Sequence, residues 1–295
     1  MERVKAEIWQ SFVREDGLGG NPAGVVIHNG SLTREQMQVV ARKLDVSETA
    51  FVEHVSNRTK LGCYQVLFYT PDGSQVSLCG HATIAAGGRI FTSGDFANQR
   101  KFSERYERSG RWCETEVRME NDMIFYQQEI PSHTEYLSWG GICDSLGLTY
   151  EDFDERFDPT KILTDALIAL EKDSLERLPA EYPVKDLRRA LDDEQLQGVH
   201  LFALGKGDPV AQCRNLAPAV GINEEAATGS VTGLLAHVLR NQSLLTRDQL
   251  QGALMRFEQG ETEHTPASNL FVRFKGEEVW VGGRVRKVRE QKIDL

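Results

Sequence analysis

The sequence has no long hydrophobic run. No stretch approaches the ~18–20 apolar residues that a membrane-spanning helix needs, and the N-terminal residues Met1–Glu7 lack the apolar core of a signal peptide. Basic residues are also in the minority, because 34 Lys and Arg stand against 44 Asp and Glu for a net charge of −10. An acidic surface repels phosphate backbones. These features predict a cytoplasmic protein that binds neither membranes nor nucleic acid.

Cysteine is scarce and scattered. The five cysteines are Cys63, Cys79, Cys113, Cys143 and Cys213. No two of them have the spacing of a zinc finger or a C-x-x-C motif, so the sequence predicts neither a disulfide framework nor a structural metal site.

The periodicity of the 295 residues indicates many strands and few helices. This length fits two domains or one large domain, and the pattern predicts an α+β fold with largely antiparallel sheets. One helix has a clear start signal, because Thr33 followed by Gln36 forms a capping box before an apolar stripe.

One local pattern occurs twice. Residues 79–83 (CGHAT) and residues 228–232 (TGSVT) each place a glycine and small residues at the entry to an apolar helix. The spacing, roughly half the chain, favours two similar lobes with one central helix each. Close helix packing, which small residues permit, explains the same pattern equally well.

Four separated motifs then occur in a recognisable order. They are residues 20–26 (GNPAGVV), residues 47–52 (SETAFV), residues 79–83 (CGHAT) and residues 218–230 (PAVGINEEAATGS). Together they resemble the PhzF-like family, named for the phenazine-biosynthesis isomerase, which shares its fold with diaminopimelate epimerase.

The resemblance implies a duplicated architecture. Each lobe is expected to be a mostly antiparallel β-barrel around a central helix, with the active site in the cleft between the lobes. We place the N-terminal lobe at residues 1–115, completed by a C-terminal strand at about 284–295, and the C-terminal lobe at residues 116–283. The resemblance also implies no metal, no organic cofactor and a homodimer.

Three residues are the predicted catalytic groups. Glu48 matches the family's acid/base carboxylate, which takes a proton from one carbon and returns it at another. We expect partial burial to raise its pKa. His81 lies at a helix start, where the positive end of the helix dipole is expected to favour neutral imidazole. Glu225 stands where the family has Asp. Each also has a purely structural interpretation: a solvated Glu, a core His and a first-turn carboxylate.

The two predicted helix starts suit a small anionic metabolite. Free backbone N–H groups at Gly80, His81, Gly229 and Ser230 are expected to bind a carboxylate or an enolate-like charge, and glycine lets a ligand approach the backbone. The predicted substrate-binding residues are Asn21, Ser47, Gly80, Thr228, Gly229 and Ser230. Turn or cap chemistry explains Asn21, Ser47 and Ser230 equally well.

Cys79 suggests a second mechanism. Racemases of this fold use one cysteine in each lobe at these helix starts, and a thiol at Cys79 is expected to have a lowered pKa. The matching position in the second lobe is Thr228, a much weaker acid, which argues against a symmetric two-thiol racemase.

The predicted function is therefore a cofactor-independent isomerase or epimerase of a small carboxylate-containing metabolite. An amino-acid racemase or epimerase that uses Cys79 is the first alternative. The second is a non-catalytic anion-binding protein, suggested by departures from the family pattern. These are Glu225 for Asp, Gln75 where many relatives have Glu, and Leu67 where many have Arg.

Overall fold

The computed structural model describes residues 3–55, 62–92, 101–108, 110–260 and 266–295, which form two compact units. The first unit comprises Met1–Gln128 and Val281–Leu295, and the second comprises Glu129–Trp280. The first boundary therefore follows residue 128 rather than residue 115, and the chain returns to the first unit at residue 281 rather than 284.

The elements of the first unit are mostly strands. They are β1 (Arg3–Val13), β2 (Asn21–His28), helix α1 (Arg34–Leu44), β3 (Glu48–His54), β4 (Cys63–Tyr69), β5 (Gln75–Val76), helix α2 (Gly80–Thr92), β6 (Lys101–Arg108), β7 (Arg111–Glu120) and β8 (Met123–Gln128). The long final strand, β17 in chain order, spans Glu278–Asp294.

Eight of these strands close into a barrel. β1 pairs with β2 on one side and β17 on the other, both antiparallel. The ring continues through β3, β4, β6, β7 and β8, and β8 pairs with β17. Only the β2–β3 and β4–β6 pairs are parallel. The β7–β8 hairpin completes this barrel, which is why residues 116–128 belong to the first unit.

Helix α2 is the core of the first unit. Eleven of its thirteen residues are buried, and it contacts β1, β2, β3, β7 and β8. Small residues make this possible: a Cβ added at Gly87 would lie 2.8 Å from Ile124, and one at Gly88 would lie 2.8 Å from Val285. The small-residue segment after residue 79 thus forms a central helix whose backbone packs closely against the strands of the barrel.

The second unit alternates strands with short helices. Its elements are β9 (Glu135–Tyr136), α3 (Gly140–Leu146), β10 (Thr160–Ile162), β11 (Asp165–Ala169), α4 (Lys172–Arg177), α5 (Val184–Asp193), β12 (Gly198–Leu204), β13 (Ala211–Ala217), β14 (Ile222–Glu225), α6 (Gly229–Asn241), α7 (Arg247–Leu250), β15 (Met255–Gln259) and β16 (Ser268–Lys275). Short 3₁₀ turns occur at Tyr150–Asp152 and Pro218–Val220.

The second unit repeats the pairing order of the first. From β1 to β7 the successive pairs run antiparallel, parallel, antiparallel, parallel and antiparallel. From β10 to β16 they run in the same sequence through β11, β12, β13 and β15. The apolar helices α2 and α6 hold equivalent places and both have thirteen residues. The predicted duplication and α+β class are confirmed.

Across the residues that the structure describes, no helix has both the length and the apolar character needed to span a membrane.

Candidate active site

Glu48 and His81 are each held at the beginning of an element of the first unit. Helix α1 ends at Asp45 in the left-handed conformation, and β3 begins at Glu48, paired in parallel with Ala23 of β2. His81 is the second residue of α2. The start of β3 thereby faces the first turn of the central helix.

The carboxylate of Glu48 lies against the imidazole of His81. Oε2 of Glu48 is 3.0 Å from Nε2 of His81, and Oγ of Ser47 is 3.1 Å from the same nitrogen. The serine contact has hydrogen-bond geometry, whereas Oε2 of Glu48 is buried and makes no contact of that geometry. The Glu48 side chain is 15% exposed and that of His81 is 4% exposed. The pair therefore forms a buried contact with an open side at the carboxylate.

The other edge of the imidazole faces a thiol and an amide. Nδ1 of His81 lies 3.4 Å from Sγ of Cys79 and 3.4 Å from Nδ2 of Asn21. The hydroxyl of Ser11 donates a 2.7 Å hydrogen bond to the backbone carbonyl of His81. These contacts fix the ring from both edges, so that its orientation toward Glu48 is set before any ligand binds.

The Glu48–His81 contact reverses two sequence-based expectations. Burial alone would raise the pKa of Glu48, but the charge of His81, helped by Ser47 and Cys79, outweighs it and lowers that pKa below its ordinary value. Burial alone would lower the pKa of His81, but Cys79 and Glu48 raise it well above its ordinary value. The predicted raised pKa of Glu48 and the predicted neutral His81 were wrong in direction, because the neighbouring imidazole outweighs burial at Glu48, and the neighbouring thiol and carboxylate outweigh it at His81. Each group therefore favours the charged form of the other.

Cys79 also differs from its prediction. Burial, followed by the nearby Glu48 carboxylate, raises the pKa of its thiol to about 11. The helix start was expected to lower this pKa. Because the thiolate is the nucleophile and base of cysteine chemistry, the raised value disfavours Cys79 as a racemase base.

Gly80 has a packing role that the sequence did not indicate. A Cβ at this position would lie 2.5 Å from the hydroxyl oxygen of Tyr126 on β8. That hydroxyl donates a 2.9 Å hydrogen bond to Gln128. The missing side chain therefore makes room for Tyr126, whether or not a ligand also approaches this backbone.

The two departures in the first unit, Gln75 and Leu67, have visible partners. Oε1 of Gln75 accepts hydrogen bonds from Arg34 at 2.5 Å and from the Tyr69 hydroxyl at 3.3 Å. Leu67 is buried in an apolar cluster with α1. The second unit contains an Arg–Glu pair of its own at other positions: Arg214 donates two hydrogen bonds, of 2.8 and 2.7 Å, to the carboxylate of Glu224.

The start of α6 in the second unit is built from hydrogen bonds. The Thr228 backbone N–H donates to Oε1 of Gln259 at 3.0 Å, and Nε2 of Gln259 donates to the Thr228 hydroxyl at 2.8 Å and the Glu225 carbonyl at 2.9 Å. The Thr228 hydroxyl lies 3.0 Å from Oε2 of Glu225. Gly229 is buried and Ser230 is partly exposed. Predicted Glu225, Thr228, Gly229 and Ser230 thus share one helix start.

Three residues near these helix starts were not predicted. Gln259 holds the start of α6 through its side-chain amide, and no sequence motif indicated it. Burial, and then Glu225, raises the pKa of Asp165 to about 7. Glu104 is fully buried and accepts a 2.8 Å hydrogen bond from Thr83. Its position between buried Phe102 and Tyr106 in an alternating strand was an available signal.

The predicted residues fall into one group per unit. The first unit brings together Asn21, Ser47, Glu48, Cys79, Gly80 and His81, and the second brings together Glu225, Thr228, Gly229 and Ser230. Glu48, Cys79 and His81 also hold the one group of metal-ligating atoms found among the described residues, all within 4.8 Å of one another.

Comparison with known proteins gives a consistent result. A family model described as phenazine biosynthesis-like protein matches residues 12–288. A Clostridium acetobutylicum protein named as an uncharacterized isomerase is 31% identical over 255 residues, covering 81% of this chain and 80% of its own. A human phenazine biosynthesis-like domain-containing protein is 28% identical over 231 residues, covering 74% of this chain and 77% of its own.

Solved structures share the fold. The Bacillus anthracis phenazine biosynthesis protein of the PhzF family matches with a TM-score of 0.80 at 19% identity over all of both chains. A protein of Agrobacterium radiobacter described as a probable proline racemase, with bound carbonate, matches with a TM-score of 0.60 at 9% identity, covering 99% of this chain and 93% of its own. Both structures share the fold of this chain.

Proposed function

The chain belongs to the phenazine biosynthesis-like protein family, and on that premise we propose that it is an isomerase or epimerase that moves a proton at carbon in a small carboxylate-containing metabolite, without metal or organic cofactor. Glu48 is the proposed base and His81 the proposed acid. Curated relatives named as isomerases support the reaction class.

The observation that carries the proposal is the buried contact between Glu48 and His81. Oε2 of Glu48 is 3.0 Å from Nε2 of His81 yet has no hydrogen bond of its own. The Glu48 side chain is 15% exposed, so a bound ligand can present a C–H proton to the carboxylate from its exposed side, while the imidazole on its buried side can supply a proton. Two titratable groups whose pKa values are driven apart are a recurring basis for acid and base roles in enzymes.

The pKa directions also restrict the substrate. A carboxylate whose pKa is lowered is a weak base, so it removes a proton only from a carbon that is already acidified. A carbon next to a carbonyl, or conjugated to a carboxylate, has this property. The proton goes to Glu48, the electron pair is delocalised into the carbonyl, and a proton returns at the same or a conjugated carbon.

The first turn of α2 supplies charge for the developing anion. The first intrahelical backbone hydrogen bond runs from Thr83 to Cys79, so the N-terminal end of the helix lies at Gly80 and His81. They carry the partial positive charge of the helix end. We propose that residues of the second unit, Glu225, Thr228, Gly229 and Ser230, bind the substrate or assist the proton transfer. The homodimer remains a prediction.

Solvent deuterium exchange tests this function. Small carboxylate metabolites are incubated with the protein in D₂O, and mass spectrometry reports deuterium gained at carbon. We expect exchange with wild type and a loss of at least ~100-fold with Glu48→Gln, because general acid–base catalysis contributes about 10²–10⁴-fold. Glu53→Gln, on the same strand β3, is the matched control and should retain exchange.

The same assay separates the two alternatives. A racemase that uses Cys79 requires its thiol, so Cys79→Ser would abolish exchange in that case and leave most of it in ours. The 3.4 Å contact between Cys79 and His81 is the observation in favour of this alternative. A non-catalytic anion-binding protein would bind a metabolite by calorimetry and incorporate no deuterium. Full exchange in Glu48→Gln would contradict the proposed mechanism.

A further inference from the structure

Two carboxyl groups of the second unit, those of Asp165 and Glu225, lie on the same face of its sheet. Successive strand pairs connect four residues on neighbouring strands: Leu167, His200, Asn215 and Glu225. Directly paired residues point to the same face, and so do residues two apart in one strand. Asp165 begins β11, two residues before Leu167, and is therefore on this face as well.

This face is the one that meets the start of α6. Gln259 pairs with Cys213, and alternation along β13 puts Cys213 on the same face as Asn215. The side chain of Gln259 extends from this face to hydrogen-bond Thr228. The carboxylate of Glu225 reaches the same residue, since its Oε2 lies 3.0 Å from the Thr228 hydroxyl. The face that carries the two carboxyl groups is therefore the one at the α6 start.

Hydrogen bonds at Thr228 favour the ionised form of Glu225. Oε1 of Gln259 accepts the Thr228 backbone N–H, so the amide nitrogen of Gln259 is the end that donates to the Thr228 hydroxyl. The hydroxyl in turn donates its own proton to Oε2 of Glu225. A hydrogen bond donated to a carboxylate favours its charged form. Glu225 is therefore the member of the pair that carries the negative charge.

Asp165 is the member suited to hold a proton. Its hydrogen bond from the Thr164 hydroxyl is long, at 3.5 Å. On the adjacent strand β10, Lys161 pairs with Ala166 and so faces the other side of the sheet. Burial, and then Glu225, raises the pKa of Asp165 to about 7, while part of its surface stays exposed to a ligand. General acid catalysis is most effective with an acid whose pKa lies near the working pH.

The proposed base needs an acid of this kind. Glu48 has a lowered pKa and is a weak base, so it removes a proton from carbon more readily when the adjacent carbonyl oxygen is protonated at the same time. We propose that Asp165 is a general acid of the isomerase, with ionised Glu225 as its partner, and that it protonates the substrate carbonyl oxygen as Glu48 removes the proton from carbon. This inference rests on the proposed function and adds a residue to it.

The step is balanced in protons and electrons. The C–H bond breaks, its proton goes to Glu48, and its electron pair forms the carbon–carbon double bond of an enol. The carbonyl π electrons form the new O–H bond with the proton of Asp165, which becomes a carboxylate. A neutral enol forms instead of an oxyanion, which the charge of Glu225 would repel. When a proton returns to carbon, the enol O–H proton returns to Asp165, so that each turnover restores the acid.

NMR of the aspartate carboxyl groups, labelled with carbon-13, tests the pair without any substrate. We expect one group to titrate near pH 7, to be absent from Asp165→Asn, and to titrate at lower pH in Glu225→Gln, which removes the neighbouring charge. Asp192→Asn, exposed on α5, is the matched control and should leave this titration unchanged. Circular dichroism establishes that each variant is folded. The pair is wrong if no aspartate titrates near pH 7, if the signal survives in Asp165→Asn, or if it does not move in Glu225→Gln.

Deuterium exchange into the metabolites tests the acid role. Below pH 7, where Asp165 holds its proton, we expect Asp165→Asn to slow exchange by about 10- to 100-fold, because the amide still donates a hydrogen bond but transfers no proton. Asp165→Glu keeps the acid and should recover part of the rate, and Asp192→Asn should exchange as wild type does. A folded Asp165→Asn that exchanges at the wild-type rate contradicts the acid role.

The outcome is separate from that of the proposed function. If Glu48→Gln loses exchange while Asp165→Asn keeps it, the isomerase stands and Asp165 is not its acid. If no metabolite exchanges with wild type, the proposed function and the acid role are both wrong, and the NMR titration still decides whether Asp165 and Glu225 share a proton. If both variants lose exchange and the titration belongs to Asp165, both proposals hold.

Discussion

The starts of helices α2 and α6 hold equivalent places in the two units but differ in chemistry. At α2, the residues around the first turn are titratable: Glu48, Cys79 and His81 lie within 4.8 Å of one another. At α6, an uncharged side chain, Gln259, makes three hydrogen bonds with residues 225 and 228. The α2 start thus gathers three titratable groups, whereas the α6 start, which also holds Glu225, is tied together by one amide side chain.

The same contrast extends one turn into each helix. Thr83 of α2 donates its hydroxyl hydrogen bond to the buried carboxyl group of Glu104, whereas Thr232 of α6 donates to the carbonyl of Thr228 in its own helix. Because both helices share length and pairing context, the duplicated fold does not dictate these contacts. Under the proposed function, differences in a few side chains place the acid–base chemistry in the first unit.

The largest expected effect comes from the α2 start. We expect Glu48→Gln and His81→Gln each to reduce turnover by at least ~100-fold, and the double variant to be no slower than the slower single variant, because the two act as one unit. Glu225→Gln should cost less, because its carboxylate is already engaged by Thr228. Initial rates of deuterium exchange measure all four proteins.

The pH profile sharpens this prediction. The base form of Glu48 is lost only below its ordinary pKa, because His81 lowers it. The acid form of His81 is lost only well above its ordinary value. The rate should therefore form a wide plateau that falls on both sides. Additive losses in the double variant, or a maximum confined to a narrow interval near pH 6.5, would contradict the ion-paired arrangement.

Local sequence signals predicted the elements that carry the site. The Thr33–Gln36 capping box is present at the start of α1, and the two glycine-led segments begin α2 and α6. These features depend on residues close together in the chain, so the sequence contains them. The family motifs also pointed to Glu48 and His81, which the fold brings within 3.0 Å.

Features that depend on distant contacts were not predictable in this way. The pKa directions of Glu48 and His81 depend on a 3.0 Å contact between β3 and α2, two elements that are separate in the sequence. The extension of the first unit to residue 128 follows from pairing between β8 and β17, which lie at distant points of the chain. The role of Gln259 likewise requires the end of β15 to reach the start of α6.

The next largest effect is expected at the α6 start. Gln259→Leu keeps the volume but leaves the Thr228 N–H, the Thr228 hydroxyl and the Glu225 carbonyl without the partner they have now. Each buried polar group that loses its partner costs about 1–3 kcal/mol. We expect the free energy of unfolding to fall by about 2–4 kcal/mol, measured in urea. Ser47→Ala, at the α2 start, is the control and should cost less than ~1 kcal/mol. Equal losses would remove the structural contrast between the helix starts.

The smallest effect, measured per pH unit, concerns Glu104 beneath the first turn of α2. Burial raises the pKa of this carboxyl group to about 8, and its Oε2 has no hydrogen-bond partner. Between its ordinary pKa of 4.5 and about 8, the unfolded chain is ionised while the folded protein keeps the proton. The folded state then binds more protons, so stability falls as pH rises, by at most ~1.4 kcal/mol per pH unit. Glu104→Gln keeps an acceptor for Thr83 and removes this titration. Its stability relative to wild type should therefore rise from pH 5 to pH 8 in urea unfolding, and parallel curves for the two proteins would show that Glu104 is ionised in the fold.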